Sequence, residues 1–184
     1  MLEIRWHGRG GQGAVTSVEL LALSAIGEGR FAQGFPSFGP ERRGAPVAAF
    51  NRVDDKQIKI RSGIYTPDVV VVLDESLLAM VDVAEGLKRT GTLIVNTTRN
   101  LEELRSNIKF AGRIAVCDAT GIAWKELGVP ITNTTMLGAV VRMSAAVKLE
   151  SLENPIKERF GRIAAKNQNA AKRAYEEVRI INEG

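Results

Sequence analysis

The chain has a single cysteine, Cys117, and a single histidine, His7, in 184 residues. One thiol cannot close a disulfide within the chain. The same scarcity argues against a zinc site or an iron–sulfur cluster held by this chain alone, since both need several Cys or His ligands. Cys117 ends the apolar run Ile114-Ala115-Val116-Cys117 and reads as a buried structural thiol. The P-loop signature (Gly, four residues, then Gly-Lys-Ser or Gly-Lys-Thr) is missing. With one histidine and no cofactor-lysine motif, no nucleophile stands with its base, so no catalytic residue is assigned. No apolar run approaches membrane-spanning length. Met1-Leu2-Glu3-Ile4-Arg5 does not have the pattern of a signal peptide. A cytoplasmic location, with no membrane and no nucleic acid as partner, is expected. The net charge of +4 and pI near 9.4 are too weak to imply nucleic acid, but suit an anionic ligand such as a phosphorylated cofactor.

Hydrophobic residues make up 45% of the chain and charged ones 25%, as in ordinary globular proteins. The length fits one domain over residues 1–184 with a sizeable core, and neither a repeat nor a linker interrupts it. Ile4 and Trp6 alternate with Glu3 and Arg5, which predicts a strand over Leu2 to Trp6. Val15, Val18, Leu21, Ala22 and Ala25 form one stripe of a helix that starts at Ala14 and ends near Gly27 and Gly29. Gly34, Pro36, Gly39, Pro40 and Gly44 make residues 31–44 a long, shaped loop. Ala45 to Val53 and Gln57 to Arg61 read as a hairpin turning at Asp54-Asp55. Val69 to Leu73, Thr92 to Asn96 and Ile114 to Cys117 read as buried strands, each followed by a helix, the first over Ser76 to Ala84. Helices are expected over Asn133 to Lys148, capped by Asn133, over Leu152 to Phe160, capped by Ser151, and over Ala164 to Val178. This order implies an α/β fold of three layers, α/β/α. Its sheet is mainly parallel and partly mixed, with a Rossmann-like glycine loop and a helical C-terminal part.

The run His7-Gly8-Arg9-Gly10-Gly11-Gln12-Gly13 joins the first strand to the first helix. Gly8, Gly10 and Gly13 satisfy Gly-x-Gly-x-x-Gly, a pattern that is weak by itself. The dinucleotide motif also needs an acidic residue at the end of the next strand, and no Asp or Glu occurs between Arg30 and Pro40. Two readings stand. The glycines permit tight packing of helix on sheet, or they let an anion reach the helix start. Arg9 favours the anion, because a guanidinium suits phosphate, and Gln12 adds a neutral donor. His7 is a candidate switch, or a histidine with an ordinary hydrogen bond.

A second run, Gly39-Pro40-Glu41-Arg42-Arg43-Gly44, is densely charged. It is either a solvated loop with an internal ion pair or a contact for a ligand or subunit. Phe35 and Phe38 in the same stretch favour an interface made by Phe35, Phe38, Glu41, Arg42 and Arg43.

These two runs, with Phe35-Pro36-Ser37-Phe38 before the second and Pro67-Asp68 before the valine strand, resemble the gamma subunits of 2-oxoacid:ferredoxin oxidoreductases, most closely the pyruvate or 2-ketoisovalerate type. Leu93-Ile94-Val95-Asn96-Thr97 and Asn133-Thr134-Thr135-Met136-Leu137-Gly138 extend the similarity over nearly the whole chain. The resemblance implies a subunit of an enzyme that decarboxylates a 2-oxoacid on thiamine diphosphate. Such enzymes pass electrons through iron–sulfur clusters to ferredoxin and transfer the acyl group to coenzyme A. It places thiamine diphosphate, Mg and the clusters in alpha, beta and delta-type partner subunits, and coenzyme A at a shared site. Residue by residue, it points to Gly8, Arg9, Gly10, Gly11, Gln12 and Gly13, with Arg42 and Arg43, as cofactor-binding positions. The alternative is a free-standing Rossmann-like nucleotide-binding regulatory domain without activity. A third reading has the chain only bracing the complex.

Overall fold

A computed structural model describes residues 1–37, 44–104 and 108–182. Seven strands form one sheet. They are β1 (Leu2–Arg9), β2 (Phe31–Pro36), β3 (Pro46–Asp54), β4 (Val69–Val72), β5 (Thr92–Asn96), β6 (Arg113–Cys117) and β7 (Arg179–Asn182), in the order β2-β3-β1-β4-β5-β6-β7. β1, β4, β5 and β6 form a parallel core, while antiparallel pairing adds β3 and β2 at one side and β7 at the other. Five of the seven strands therefore run the same way.

The predicted strands of the parallel core all form, and β1 runs on through His7, Gly8 and Arg9. Val69 and Val71 face one layer and Val70 and Val72 the other, so a continuous β-branched run is buried on both sides. On the first face lie α1 (Ala14–Gly27), α4 (Asn133–Ser144), α5 (Glu153–Phe160) and α6 (Ala164–Glu177), which pack with Ile4, Trp6 and Ile94. α3 (Ala119–Leu127) joins them through Ile122.

The opposite face is thinner. Its cover is a 3-10 turn (Glu75–Ala79), the apolar side chains of Val83 and Leu87, and the short α2 (Leu101–Leu104). The helix predicted over Ser76 to Ala84 is thus a 3-10 turn. Gly86 and Gly91 interrupt the segment that follows, and Leu77, Leu78, Val83 and Leu87 are buried without helical periodicity.

The expected loop over residues 31–44 begins as a strand. Gly34 lies in β2 because a Cβ there would meet the Val18 carbonyl oxygen of α1 at 2.5 Å. The glycine that looked like a loop signal is a close approach of helix to sheet. β2, not Gln57 to Arg61, pairs with β3. Gln57 to Arg61 is not a strand, and the Ile60 carbonyl accepts from the Gln33 side chain. Asn133 sits inside the first turn of α4, where Thr132 is the capping position, and the helix stops at Ser144 before Ala145 at φ 50°. Ser151 lies in a 3-10 turn (Leu149–Leu152) ahead of α5, and its hydroxyl donates to Glu28. β7 has no counterpart in the sequence reading.

Inside this frame Asn51, fully buried on β3, accepts from the Trp6 indole at 2.9 Å and donates to the Val18 carbonyl at 2.8 Å. That side chain joins β1, β3 and α1 with its polar atoms satisfied. Among the described residues, no helix is long and apolar enough to cross a membrane.

The tightest helix contact is α4 on α6, where a Cβ on Gly138 would lie 1.8 Å from the Ala171 carbonyl oxygen. Alanine is the better helix former by about 1 kcal/mol, but overpacking of this kind costs about 1–3 kcal/mol or more. Gly138→Ala is therefore expected to lower the urea midpoint. An unchanged midpoint would mean that the two helices separate freely.

Candidate functional site

The connections after β1 and β4 leave on opposite faces of the sheet, α1 on one and the 3-10 turn on the other. The gap between the carboxyl ends of these neighbouring parallel strands is where open α/β sheets bind ligands. Here the glycine run fills its rim. Gly8 and Arg9 belong to β1, Gly10 to Gly13 make the turn, and Gly11 and Gly13 adopt φ of 94° and 81°, where glycine is favoured. Gly13 also abuts Asn133, so the turn is pressed against α4.

The turn is held by one carboxylate. Asp74, just past β4, accepts from Arg9 Nε at 3.1 Å and from Gln12 Nε2 at 2.8 Å on the same oxygen, Oδ2. Its other oxygen takes the Ser76 N–H at 3.0 Å and the Ser76 hydroxyl. Gln12 Oε1 accepts from the Arg9 backbone N–H at 2.7 Å, closing the turn on itself. Partial burial alone would raise the Asp74 pKa. Hydrogen bonds from Ser76 and Gln12, with the Arg9 charge, outweigh it and hold the carboxyl below its ordinary value.

Arg9 is wholly engaged within the chain. Besides Asp74, its guanidinium donates to the Gly44 carbonyl at 3.0 Å and to Ser76 Oγ at 2.7 Å. It pins both the glycine turn and the start of β3 to the end of β4. Gln12, expected as a donor, gives its amide to Asp74. Among the described residues no hydrogen bond uses the N–H of Gly11 or Gly13. The donors that remain for an anion at this rim are therefore backbone amides.

Next to the turn a cleft of about 500 Å³ runs along the strand ends, lined by Gln12, Asp74, Glu75, Thr97, Asp118 and Thr132, among others. Asn96 holds its floor, donating to the Leu73 carbonyl at 2.8 Å and to Thr120 Oγ1 at 3.0 Å. Thr97 donates to Glu75, which also pairs with Arg99. Asp118 accepts from the Gly121 N–H at 2.8 Å and caps α3.

Asp74, Asn96, Thr97 and Asp118 are site residues that the sequence motifs do not single out as such. Their signal was present, because each lies at or just after the end of a buried β-branched run. The next strand in the chain, β2, ends in Pro36 and carries no acid. The next parallel strand in space is β4, and its terminal acid is Asp74, which faces Arg9 and Gln12.

His7 lies on β1 and accepts from Arg5 Nε at 3.1 Å. Burial, then the Arg5 charge, lowers its pKa to about 4. It is a neutral acceptor, not a switch near neutral pH. Cys117 is buried, and burial first, then Glu177 and Asp118, pushes its thiol up to about 12. It is thus inert as a nucleophile. Phe35 packs on Phe50 with ring centroids 5.3 Å apart and under the Arg52 guanidinium at 5.5 Å. Phe38, Glu41, Arg42 and Arg43 lie outside the described residues.

His7 is the only histidine, so its imidazole proton resonance gives an unambiguous titration. The midpoint is expected near pH 4, and one near the ordinary 6.5 would contradict its burial. A depressed folded pKa means that this contribution to stability is full above about pH 6.5 and is lost as pH falls toward 4. Asp74 has the same sign at lower pH. Its contribution is present above its ordinary pKa of 3.8 and is lost as pH falls through the lower folded value. Asp74→Asn is expected to cost about 1–3 kcal/mol at pH 7 in denaturant titration and to flatten the acid limb. A wild-type acid limb in the variant would contradict the clamp.

Residues 3–177 match the family model for pyruvate ferredoxin/flavodoxin oxidoreductase. The chain is 56% identical over 177 residues to the pyruvate/ketoisovalerate oxidoreductases common subunit gamma of Thermococcus kodakarensis, covering 95% of this chain and 96% of the relative. It superposes on the pyruvate oxidoreductase subunit PORC of Thermotoga maritima with a TM-score of 0.89 at 44% identity, covering 97% of each chain. The fold alone recurs within a longer chain, the 2-oxoglutarate:ferredoxin oxidoreductase of Magnetococcus marinus. There the TM-score is 0.68 at 19% identity, covering 95% of this chain and 31% of that one. The match runs through every element from β1 to α6, and the chain belongs to the pyruvate ferredoxin/flavodoxin oxidoreductase family.

Proposed function

We propose that the chain is the gamma subunit, a single domain, of a multisubunit cytoplasmic pyruvate or 2-oxoacid:ferredoxin oxidoreductase. The observation that carries this reading is a family match over residues 3–177 in a chain whose one cysteine and one histidine cannot ligate a cluster. Decarboxylation on thiamine diphosphate with Mg, and electron transfer through clusters to ferredoxin, belong to alpha, beta and delta-type partners. This chain packs on the thiamine-bearing subunits and contributes one wall of the coenzyme A site.

The strand-end rim suits that role in two ways. The N–H groups of Gly11 and Gly13 are open to an anion beside the start of α1. Thr97, Thr98, Thr120 and Thr132 line the cleft beside it, which gives a sugar or base a polar wall. Arg9 acts on the ligand through the turn that it fixes. Arg42 and Arg43 of the second charged run supply the positive charge that the pinned Arg9 does not.

The test is a tagged copy expressed with its partner subunits. Thiamine- and cluster-bearing chains should co-purify, with coenzyme A-dependent 2-oxoacid oxidation. In that assembly Arg9→Ala and Arg43→Ala are each expected to raise the KM for coenzyme A about tenfold, equal to about 1.4 kcal/mol. The KM for the 2-oxoacid should hold. An unchanged coenzyme A KM in both variants removes the site from this rim, and a chain that purifies alone removes the subunit reading.

A further inference from the structure

β2 is the edge of the sheet, and among the described residues no strand lies on its outer side. Exposed edges are normally blunted by charge, by lysine or by an internal proline. Phe31-Ala32-Gln33-Gly34-Phe35-Pro36 carries no charge, and its only proline is the last residue. The opposite edge, β7, opens instead on the exposed Arg179.

The ladder fixes which backbone groups face outward. The Ser37 N–H donates to the Ala48 carbonyl at 2.8 Å, one step beyond the Pro36↔Ala49 pair. Antiparallel pairing alternates, so Phe31, Gln33 and Phe35 turn their N–H and C=O groups to β3. Ala32 and Gly34 turn theirs away from the sheet. The Gly10 N–H to Ala45 carbonyl bond, at 2.9 Å on the other side of β3, gives the same alternation.

We infer that this edge pairs antiparallel with the same edge of a second copy, about a two-fold axis at Gln33. In that register Ala32 faces Gly34 of the copy and Gly34 faces its Ala32. The two pairs exchange four N–H to carbonyl bonds, and every outward N–H of the strand is used. Pro36 falls opposite Arg30, beyond the strand, where its missing N–H costs nothing. Phe31 stands across from Phe35, both on the face away from α1, as a cross-strand aromatic pair. Phe31 is 46% exposed in the single chain, and Leu23 and Ile26 are exposed on the helix that packs over β2. A strand that satisfies its own donors with its own acceptors is the requirement for an isologous interface.

The register gives a direct test. Gln33 would face Gln33 of the copy at a non-hydrogen-bonded position, with Cα atoms about 4.5 Å apart, within disulfide range. The native thiol Cys117 is buried at 2% exposure, so any crosslink belongs to the introduced one. The 184-residue chain is expected to scatter light as twice 20.0 kDa. Gln33→Cys should crosslink to a dimer on mild oxidation. Phe31→Lys, at an exposed residue, should raise the dimer dissociation constant at least tenfold while keeping the far-UV spectrum. A wild-type chain that stays at one copy, or a dimer in which Gln33→Cys does not crosslink, overturns the inference. Neither result bears on the coenzyme A rim, which lies at the strand ends.

Discussion

The carboxylate of Asp74 is the point on which the strand-end region depends. One oxygen receives both Arg9 and Gln12, and the other closes the turn that follows β4. Two backbone segments far apart in the chain are thereby fixed to each other. A charged acceptor with several donors is roughly twice as strong as a neutral pair, and its partial burial limits screening. The glycine turn can keep φ values near 90° without fraying because its flanking side chains, Arg9 and Gln12, are locked.

This arrangement changes how a glycine-rich turn is read. In the dinucleotide fold, the acid at the end of the neighbouring strand is left open to a ribose. Here the acid at the end of the parallel strand beside β1 is neutralised by Arg9. The rim keeps its backbone amides but loses its free cation. In the proposed coenzyme A site, charge for a phosphate then has to come from elsewhere, and the second charged run offers Arg42 and Arg43. That division suits a subunit that completes a site shared with partners.

Polar satisfaction recurs away from the rim. Arg52 is 1% exposed, yet its guanidinium pairs with Glu3 at 2.8 Å, donates to the Gly63 carbonyl at 3.1 Å and stacks over Phe35. A buried charge with these partners has its desolvation cost offset by the pairing. It aligns β1, β3 and the segment near Gly63, and leaves β2 as an uncharged margin.

What the sequence determined by itself was local. The β-branched runs declared the parallel strands, the stripe from Val18 to Ala25 declared α1, and the tandem motifs declared the family. A single cysteine and a single histidine argued against a self-held cluster. Helix limits at Asn133 and Ser151 were misplaced because capping side chains also serve distant partners, as Ser151 does with Glu28. The tertiary structure alone decided which strand lies beside β1. Adjacency in a sheet is set by packing of nonlocal segments, which no window of sequence contains. That is why Gly34 looked like a loop and proved to be a contact with Val18, and why the acid beside Arg9 is Asp74, 65 residues away.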